Sequence, residues 1–198
     1  MNREIVLAST SPRRQMLLKK VCEQFSICAP SLEKEILDAQ LSLPKALEKL
    51  ALEKAESVAK NKPAALVIGA DTIVCKDGKR LGKPIDEAEA RAMLQDLSGA
   101  THEVITAVAM VCLETHTVVT NHAVSAVTFR PLTEADIADY IATGEPIDKA
   151  GAYGIQGEAG KFVTNLSGDF ENVVGLPTVL VREMLKEALG DGKGQRCR

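Results

Sequence analysis

Ile5 to Ala8 is a short apolar run followed by Ser9, Thr10, Ser11 and Pro12, after which RRQMLLKK takes on helical character. The pattern predicts a strand, a hydroxyl-rich turn and a helix, with Ser11 as N-cap and Pro12 at the first helical position. Free backbone N–H groups and the positive end of the helix dipole then point at the turn, where Arg13 and Arg14 add charge, a corner suited to a phosphate. From Pro44 to Lys60 a second helix is marked by Leu47, Leu50, Ala51, Ala55 and Val58. The series 47, 51, 54, 58 aims Lys54 along the same inward face. An inward lysine needs an anionic partner or must snorkel out along its own methylenes. ALVIGAD, residues 65 to 71, is a continuous apolar run of the kind found in a strand buried on both faces, and Asp71 is expected to end it. At the carboxyl end of such a strand an Asp is either a metal ligand or general base, or a cap of the following turn. Lys76, Asp77 and Gly78 predict a hairpin, and Gly82, Lys83 and Pro84 bring another lysine near the same end.

Further along, Asp86 caps a predicted helix through Leu97, and two strand-like stretches, 103–111 and 117–129, form an antiparallel pair around the polar turn Glu114 to His116. Thr133 and Asp136 make a capping-box-like start to a helix that ends at Thr143 before Gly144. TGEPIDKAGAYGIQG, residues 143 to 157, follows neither a helical nor a strand period. Its glycines allow close backbone approach, and Glu145, Asp148, Lys149 and Gln156 offer charge and hydrogen bonds, so it is either a ligand-holding segment or a solvated connection. Short strands are expected at 161–164 and 171–174, a last helix from Pro177 to Leu189, and a disordered tail over 190–198.

At 198 residues the chain is long enough for one sizeable core or two small lobes, and its 45% hydrophobic content suits a globular protein. Aromatics are only 3% and Trp is absent, which predicts an aliphatic core. A net charge of −3 argues against nucleic acid or an anionic membrane as the main partner, so any phosphate site must be local. No apolar run is long enough to span a bilayer and the N-terminus lacks a signal-peptide pattern, which makes a cytoplasmic location the expectation. The five cysteines are odd in number and scattered, and the three histidines lack metal-ligand spacing, so disulfides and zinc are not expected.

Arg13 and Arg14 at a strand-end turn, an inward Lys54, a carboxylate at Asp71 and Lys83 beside a glycine form a set suited to a polyphosphate. There is no G-x-x-x-x-G-K-[ST], so this is not a P-loop protein. LASTSPRR (7–14), GADTIV (69–74), GKP (82–84), LSGATHEVIT (97–106), TGEPIDKAGAYGIQG (143–157) and GDFENVVGLP (168–177) together resemble the Maf family of nucleoside triphosphate pyrophosphatases over nearly the whole chain. The resemblance implies one α/β domain over 1–189, a mixed twisted sheet flanked by helices with two lobes around a cleft, like that of inosine triphosphate pyrophosphatases, commonly as a homodimer. It implies hydrolysis between the α and β phosphates of a nucleoside triphosphate, with a divalent metal cation (Mg²⁺ or Mn²⁺) and no organic cofactor, in a house-cleaning role linked to cell division arrest.

Carried over by the resemblance, Asp71 is the proton acceptor for the attacking water and a metal ligand, and Glu33 is the second metal ligand. Ser9, Arg13, Arg14, Lys54 and Lys83 fall on phosphate-facing positions. Carboxylates are weak bases at neutral pH, so water acidified by the metal is the expected partner of Asp71. A branch that prefers dTTP and UTP resembles this chain at Arg13, Thr72 and Gln156, and a glutamine amide can both donate to and accept from the O4 and N3–H edge of uracil or thymine. Leu32, Ala100 and Phe170 depart from the family's usual residues without removing a catalytic group. Two rival readings are a non-catalytic nucleotide-binding regulator of septum formation and a nucleotidyltransferase, which would need an acceptor.

Overall fold

A computed structural model describes residues 3–190, so the tail expected over 190–198 lies outside the described residues except for Gly190. The chain is mixed α/β, and its strands run in the order β2-β1-β3-β5-β6-β7, with β4 paired to β3. In chain order these are β1 (Ile5–Leu7), β2 (Ser26–Ile27), β3 (Leu66–Lys76), β4 (Lys79–Leu81), β5 (Thr101–Cys112), β6 (Thr117–Phe129) and β7 (Val163–Ser167). The helices are α1 (Pro12–Lys19), α2 (Leu43–Ala59), α3 (Glu87–Leu97), α4 (Glu134–Ala142), α5 (Phe170–Val174) and α6 (Thr178–Leu189). Two compact units divide the chain: residues 1–71, 106–123 and 175–198 form the first, and residues 72–105 and 124–174 the second. Among the described residues no helix is long and apolar enough to cross a membrane.

In the first unit β1 pairs in parallel with β2 and β3, Ile5 opposite Leu66 and Leu7 opposite Ile68. Val6, Leu7, Val67 and Ile68 are fully buried, as a parallel sheet covered on both faces requires. The turn after β1 is built as its sequence predicts. Ser11 caps α1, its hydroxyl accepting the Arg14 N–H at 3.5 Å, and the Ser9 hydroxyl accepts from the Ser11 N–H at 3.2 Å. Along α2 the predicted stripe Leu47, Leu50, Ala51, Ala55 and Val58 is buried. The core of this unit is aliphatic, as the composition suggests.

The second unit is not. Phe129, Tyr140, Tyr153 and Phe162, four of the six aromatic residues in the chain, meet there edge to face, Phe129 and Tyr153 with ring centroids 4.8 Å apart. The β3–β4 turn is Asp77-Gly78, with φ of 51° and 77°, the left-handed pair that a two-residue hairpin demands. Asp86 caps α3, and α4 opens with the full Thr133–Asp136 capping box and ends before Gly144 at φ 73°. The loop that follows carries short 3₁₀ turns at Glu145–Asp148 and Ala150–Ala152.

Two expectations change. Residues 170–174 are helical rather than a strand, because Asp169 acts as their cap: its carboxylate accepts the Glu171 N–H at 2.8 Å and its carbonyl the Val173 N–H at 3.4 Å. Asp71 does not end β3, which continues through β-branched Thr72, Ile73 and Val74 to Lys76. What ends is the parallel partner, since β1 stops at Leu7 and the Ala8 N–H bonds to the Ile68 carbonyl at 2.8 Å. Asp71 therefore lies within a strand but just past the carboxyl end of β1, where ligand sites of parallel sheets form.

Candidate active site

Within the first unit, Gly69 sets the distance between β3 and α2. A Cβ at Gly69 would sit 2.3 Å from the Ala51 carbonyl oxygen and 2.9 Å from the Ala55 nitrogen, so only glycine lets the helix backbone lie this close to the strand. Residue 71 is on the same face as residue 69, since strand side chains alternate. Lys54, one turn along the stripe from Leu50 and Ala51, meets Asp71 there. Lys54 Nζ donates to Asp71 Oδ1 at 2.6 Å and lies 2.9 Å from Glu35 Oε1. The lysine side chain is 7% exposed, that of Asp71 16% and that of Glu35 56%. The inward lysine thus has its anionic partner, and a charge this buried is held only because it is paired.

Arg14 lies in the same electrostatic neighbourhood. Burial lowers its pKa, the Asp71 carboxylate acts against that, Arg13 adds to the lowering and Glu35 opposes it. Its Nε donates to the Gly175 carbonyl at 2.9 Å, which fixes the guanidinium against the start of the α6 segment. Ser9 is buried directly after β1. The structure therefore brings Ser9, Arg14, Lys54 and Asp71 into one unit, with Arg13 beside Arg14 on the first turn of α1.

Glu33 is exposed, and the acidic side chain of its segment that reaches Lys54 is Glu35, two residues on. Residues 28–42 hold no helix or strand, so no periodicity in the sequence marks Glu35; its only signal is acidity shortly before α2. Among the described residues no cluster of three His, Cys, Asp or Glu is placed to hold a metal. Asp71 and Glu35 nonetheless form a pair of hard oxygen donors on one lysine, and Mg²⁺ at a phosphate site characteristically takes one or two carboxylates, the substrate phosphates supplying the rest. The residues present fit such an ion.

Thr72, Lys83 and Gln156 belong to the second unit, Thr72 half-buried and the other two exposed. The glycine loop is tied to the Lys83 segment by the Gly151 N–H, which bonds to the Gly82 carbonyl at 2.9 Å. Gly151 has φ of 68°, and a Cβ there would lie 2.8 Å from a Val74 methyl, so the loop rests on β3 through a residue that must be glycine. Lys149 is consumed inside the loop: its Nζ donates to the Glu145 carbonyl and to Asp148 Oδ1, both at 2.6 Å. The Glu145 carboxylate packs where a Gly157 Cβ would be, 2.2 Å away, and accepts the Glu158 N–H at 3.5 Å. Glu145, Asp148 and Lys149 therefore build the loop.

A family model described as Maf-like protein matches residues 4–188. The chain is 47% identical over 184 residues to a dTTP/UTP pyrophosphatase of Symbiobacterium thermophilum, covering 93% of each chain. It is 49% identical over 183 residues to one of Bacillus cereus, covering 92% of this chain and 94% of that one. One of Clostridium botulinum is 44% identical over 188 residues, with 93% of this chain and 97% of that one covered. Among solved structures, the Ham1 protein of Staphylococcus aureus is similar over 64% of this chain and 72% of its own, at 15% identity and a TM-score of 0.43.

Proposed function

The chain belongs to the Maf family, and on that premise we propose that it hydrolyses dTTP and UTP to the nucleoside monophosphate and pyrophosphate, using a divalent metal cation. The relatives that it matches over nine-tenths of their length carry the name of that activity. The observation that carries the reading is the buried Lys54–Asp71 pair with Glu35 at its rim. A carboxylate held by a lysine and lying just past a parallel strand end has the chemistry to orient water beside a phosphoryl group.

In this reading Lys54 occupies Asp71 Oδ1, so Oδ2 takes the proton from water as it attacks the α-phosphorus. Lys54 also offsets the charge of the incoming phosphates, with one Nζ proton to give beyond those that face Asp71 and Glu35. Arg13, Arg14 and the Ser9 hydroxyl bind phosphoryl oxygens at the start of α1, where the backbone N–H groups favour an anion. Lys83 contributes one more cation. Asp71 and an acidic residue of the 33–35 segment would hold the Mg²⁺ or Mn²⁺, which would supply polarisation of the phosphoryl oxygens and acidification of water. Thr72 and Gln156, with Arg13, set the preference for pyrimidines, the Gln156 amide pairing with O4 and N3–H. We place the protein in the cytoplasm as a homodimer, in keeping with the family resemblance. Incubation with a panel of triphosphates and Mg²⁺ or Mn²⁺ tests the proposal. Monophosphate and pyrophosphate from dTTP and UTP support it; turnover of purine triphosphates alone, release of orthophosphate, or dependence on an acceptor contradicts it.

A further inference from the structure

The glycine loop of the second unit is held by two phenol hydroxyls at the consecutive residues Tyr153 and Gly154, just before Gln156. Tyr140 Oη accepts the Gly154 N–H at 3.1 Å. Tyr153, the residue before, points its hydroxyl inward to His102 Nε2 at 2.8 Å. His102 comes from β5 and Tyr140 from α4, so two rigid elements grip the chain two and three residues before Gln156. The grip is braced by ring packing: His102 meets Phe129 at 5.0 Å and Tyr153 at 5.3 Å between centroids, both edge to face.

His102 is expensive to keep there. It is 2% exposed, and its Nδ1 has no hydrogen-bond partner among the described residues. Either tautomer therefore leaves one buried ring nitrogen unmet, at a cost of about 1–3 kcal/mol. Burial, with the charge of Lys76 adding to it, pushes its pKa down to about 4, so the ring is neutral in the folded protein. A leucine in the same apolar setting would carry neither cost but would leave the buried Tyr153 hydroxyl without this partner. The bond to Tyr153 is what the histidine supplies.

We propose that His102 and Tyr140 are positioning residues for substrate selection: through Tyr153 Oη and the Gly154 N–H they fix the loop so that Gln156 is presented to the pyrimidine base. The inference rests on the reading of Gln156 as the residue that meets the base. It assigns to two residues with no substrate contact a share of the discrimination between pyrimidine and purine triphosphates.

The test compares wild type with His102→Leu, His102→Gln and Tyr140→Phe for folding stability and for kcat and KM on UTP, dTTP, GTP and ATP. His102→Leu exchanges an unmet ring nitrogen for an unmet Tyr153 hydroxyl, so its stability should change little, yet it should lose roughly fivefold or more of the pyrimidine-over-purine ratio in kcat/KM, the effect of losing one neutral hydrogen bond. The loss should fall on KM rather than on kcat. His102→Gln, which can still bond to Tyr153, should recover much of the ratio. Tyr140→Phe should show the same loss together with faster hydrogen exchange at the Gly154 amide. A folded His102→Leu or Tyr140→Phe protein with unchanged selectivity overturns the inference while leaving the proposed activity standing. Wild-type protein that cleaves neither UTP nor dTTP overturns that activity and this inference with it.

Discussion

Gly69→Ala is a small change that reaches the Lys54–Asp71 pair from a distance. The added methyl would lie 2.3 Å from the Ala51 carbonyl oxygen, 2.9 Å from the Ala55 nitrogen and 3.1 Å from the Ala55 methyl. Two of those neighbours are helix backbone and cannot rotate away, so α2 must retreat from β3 by about 1 Å before the contacts become ordinary. Overpacking of this kind costs about 1–3 kcal/mol, against the roughly 0.5–1 kcal/mol that Gly→Ala ordinarily gains through chain entropy. The net cost is about 0–2.5 kcal/mol, and at about 2–4 °C per kcal/mol for a protein of this size the melting temperature should fall by up to about 10 °C. The same shift draws Lys54 away from Asp71, stretching a 2.6 Å bond, so activity should drop by at least tenfold in protein that is still folded at the assay temperature. Thermal unfolding followed by circular dichroism, with UTP turnover measured on the same preparation, reads both effects. A variant as stable as wild type with a normal rate would refute the claim that Gly69 sets the spacing of Lys54 and Asp71.

Three further outcomes follow from the same geometry. Lys54→Met keeps the methylene stem but leaves Asp71 and Glu35 without their shared cation; it should cost about 1–3 kcal/mol in denaturant unfolding, less than a fully buried pair because Glu35 is largely exposed, and abolish most turnover. Glu35→Gln should raise the Mg²⁺ concentration for half-maximal rate by about tenfold and Glu33→Gln should do so less; the reverse ranking would return the ligand role to Glu33. His102 has its folded pKa lowered to about 4 from an ordinary 6.5, so the unfolded chain takes up its proton first as pH falls. The contribution is full above pH 6.5 and fades toward pH 4, by about 3 kcal/mol at 1.36 kcal/mol per unit. Denaturant unfolding at pH 7 and pH 4.5 should show a smaller loss in His102→Leu than in wild type, and equal losses would contradict the assignment.

Much of the site is legible in the amino-acid sequence itself. The steps 47, 51, 54, 58 turn Lys54 inward, and the hydroxyl-rich turn before Pro12 caps α1 through Ser11 as its residues predict. Those are local signals, written in helix period and cap chemistry. What the sequence hides is set by tertiary contact. Asp71 looks like a strand end because aspartate is depleted in strands, and only the meeting with Lys54 lets it sit inside one. The two valines of FENVV suggest a strand, whereas the cap supplied by Asp169 closes a helical turn instead. Glu35 lies in a segment without regular structure, where no period distinguishes it from Glu33. Gly69 reads as one more small residue in an apolar run until the backbone of α2 is seen against it. The aromatic grouping of the second unit is likewise invisible in an average of 3%, because composition does not say that four of the six rings gather.

The proposed chemistry depends most on Asp71. The direct measurement is the rate of monophosphate and pyrophosphate formation from UTP with Mg²⁺ or Mn²⁺, for wild type and Asp71→Asn side by side, with circular dichroism to confirm that both are folded. The replacement keeps the size of the side chain and an oxygen for Lys54 but cannot take a proton from water. Wild type should form both products in equal amounts, and the variant should be slower by about 10²–10⁴-fold, the range typical of a lost general base. A folded Asp71→Asn protein that turns over UTP at a near-normal rate would contradict the role given to this carboxylate.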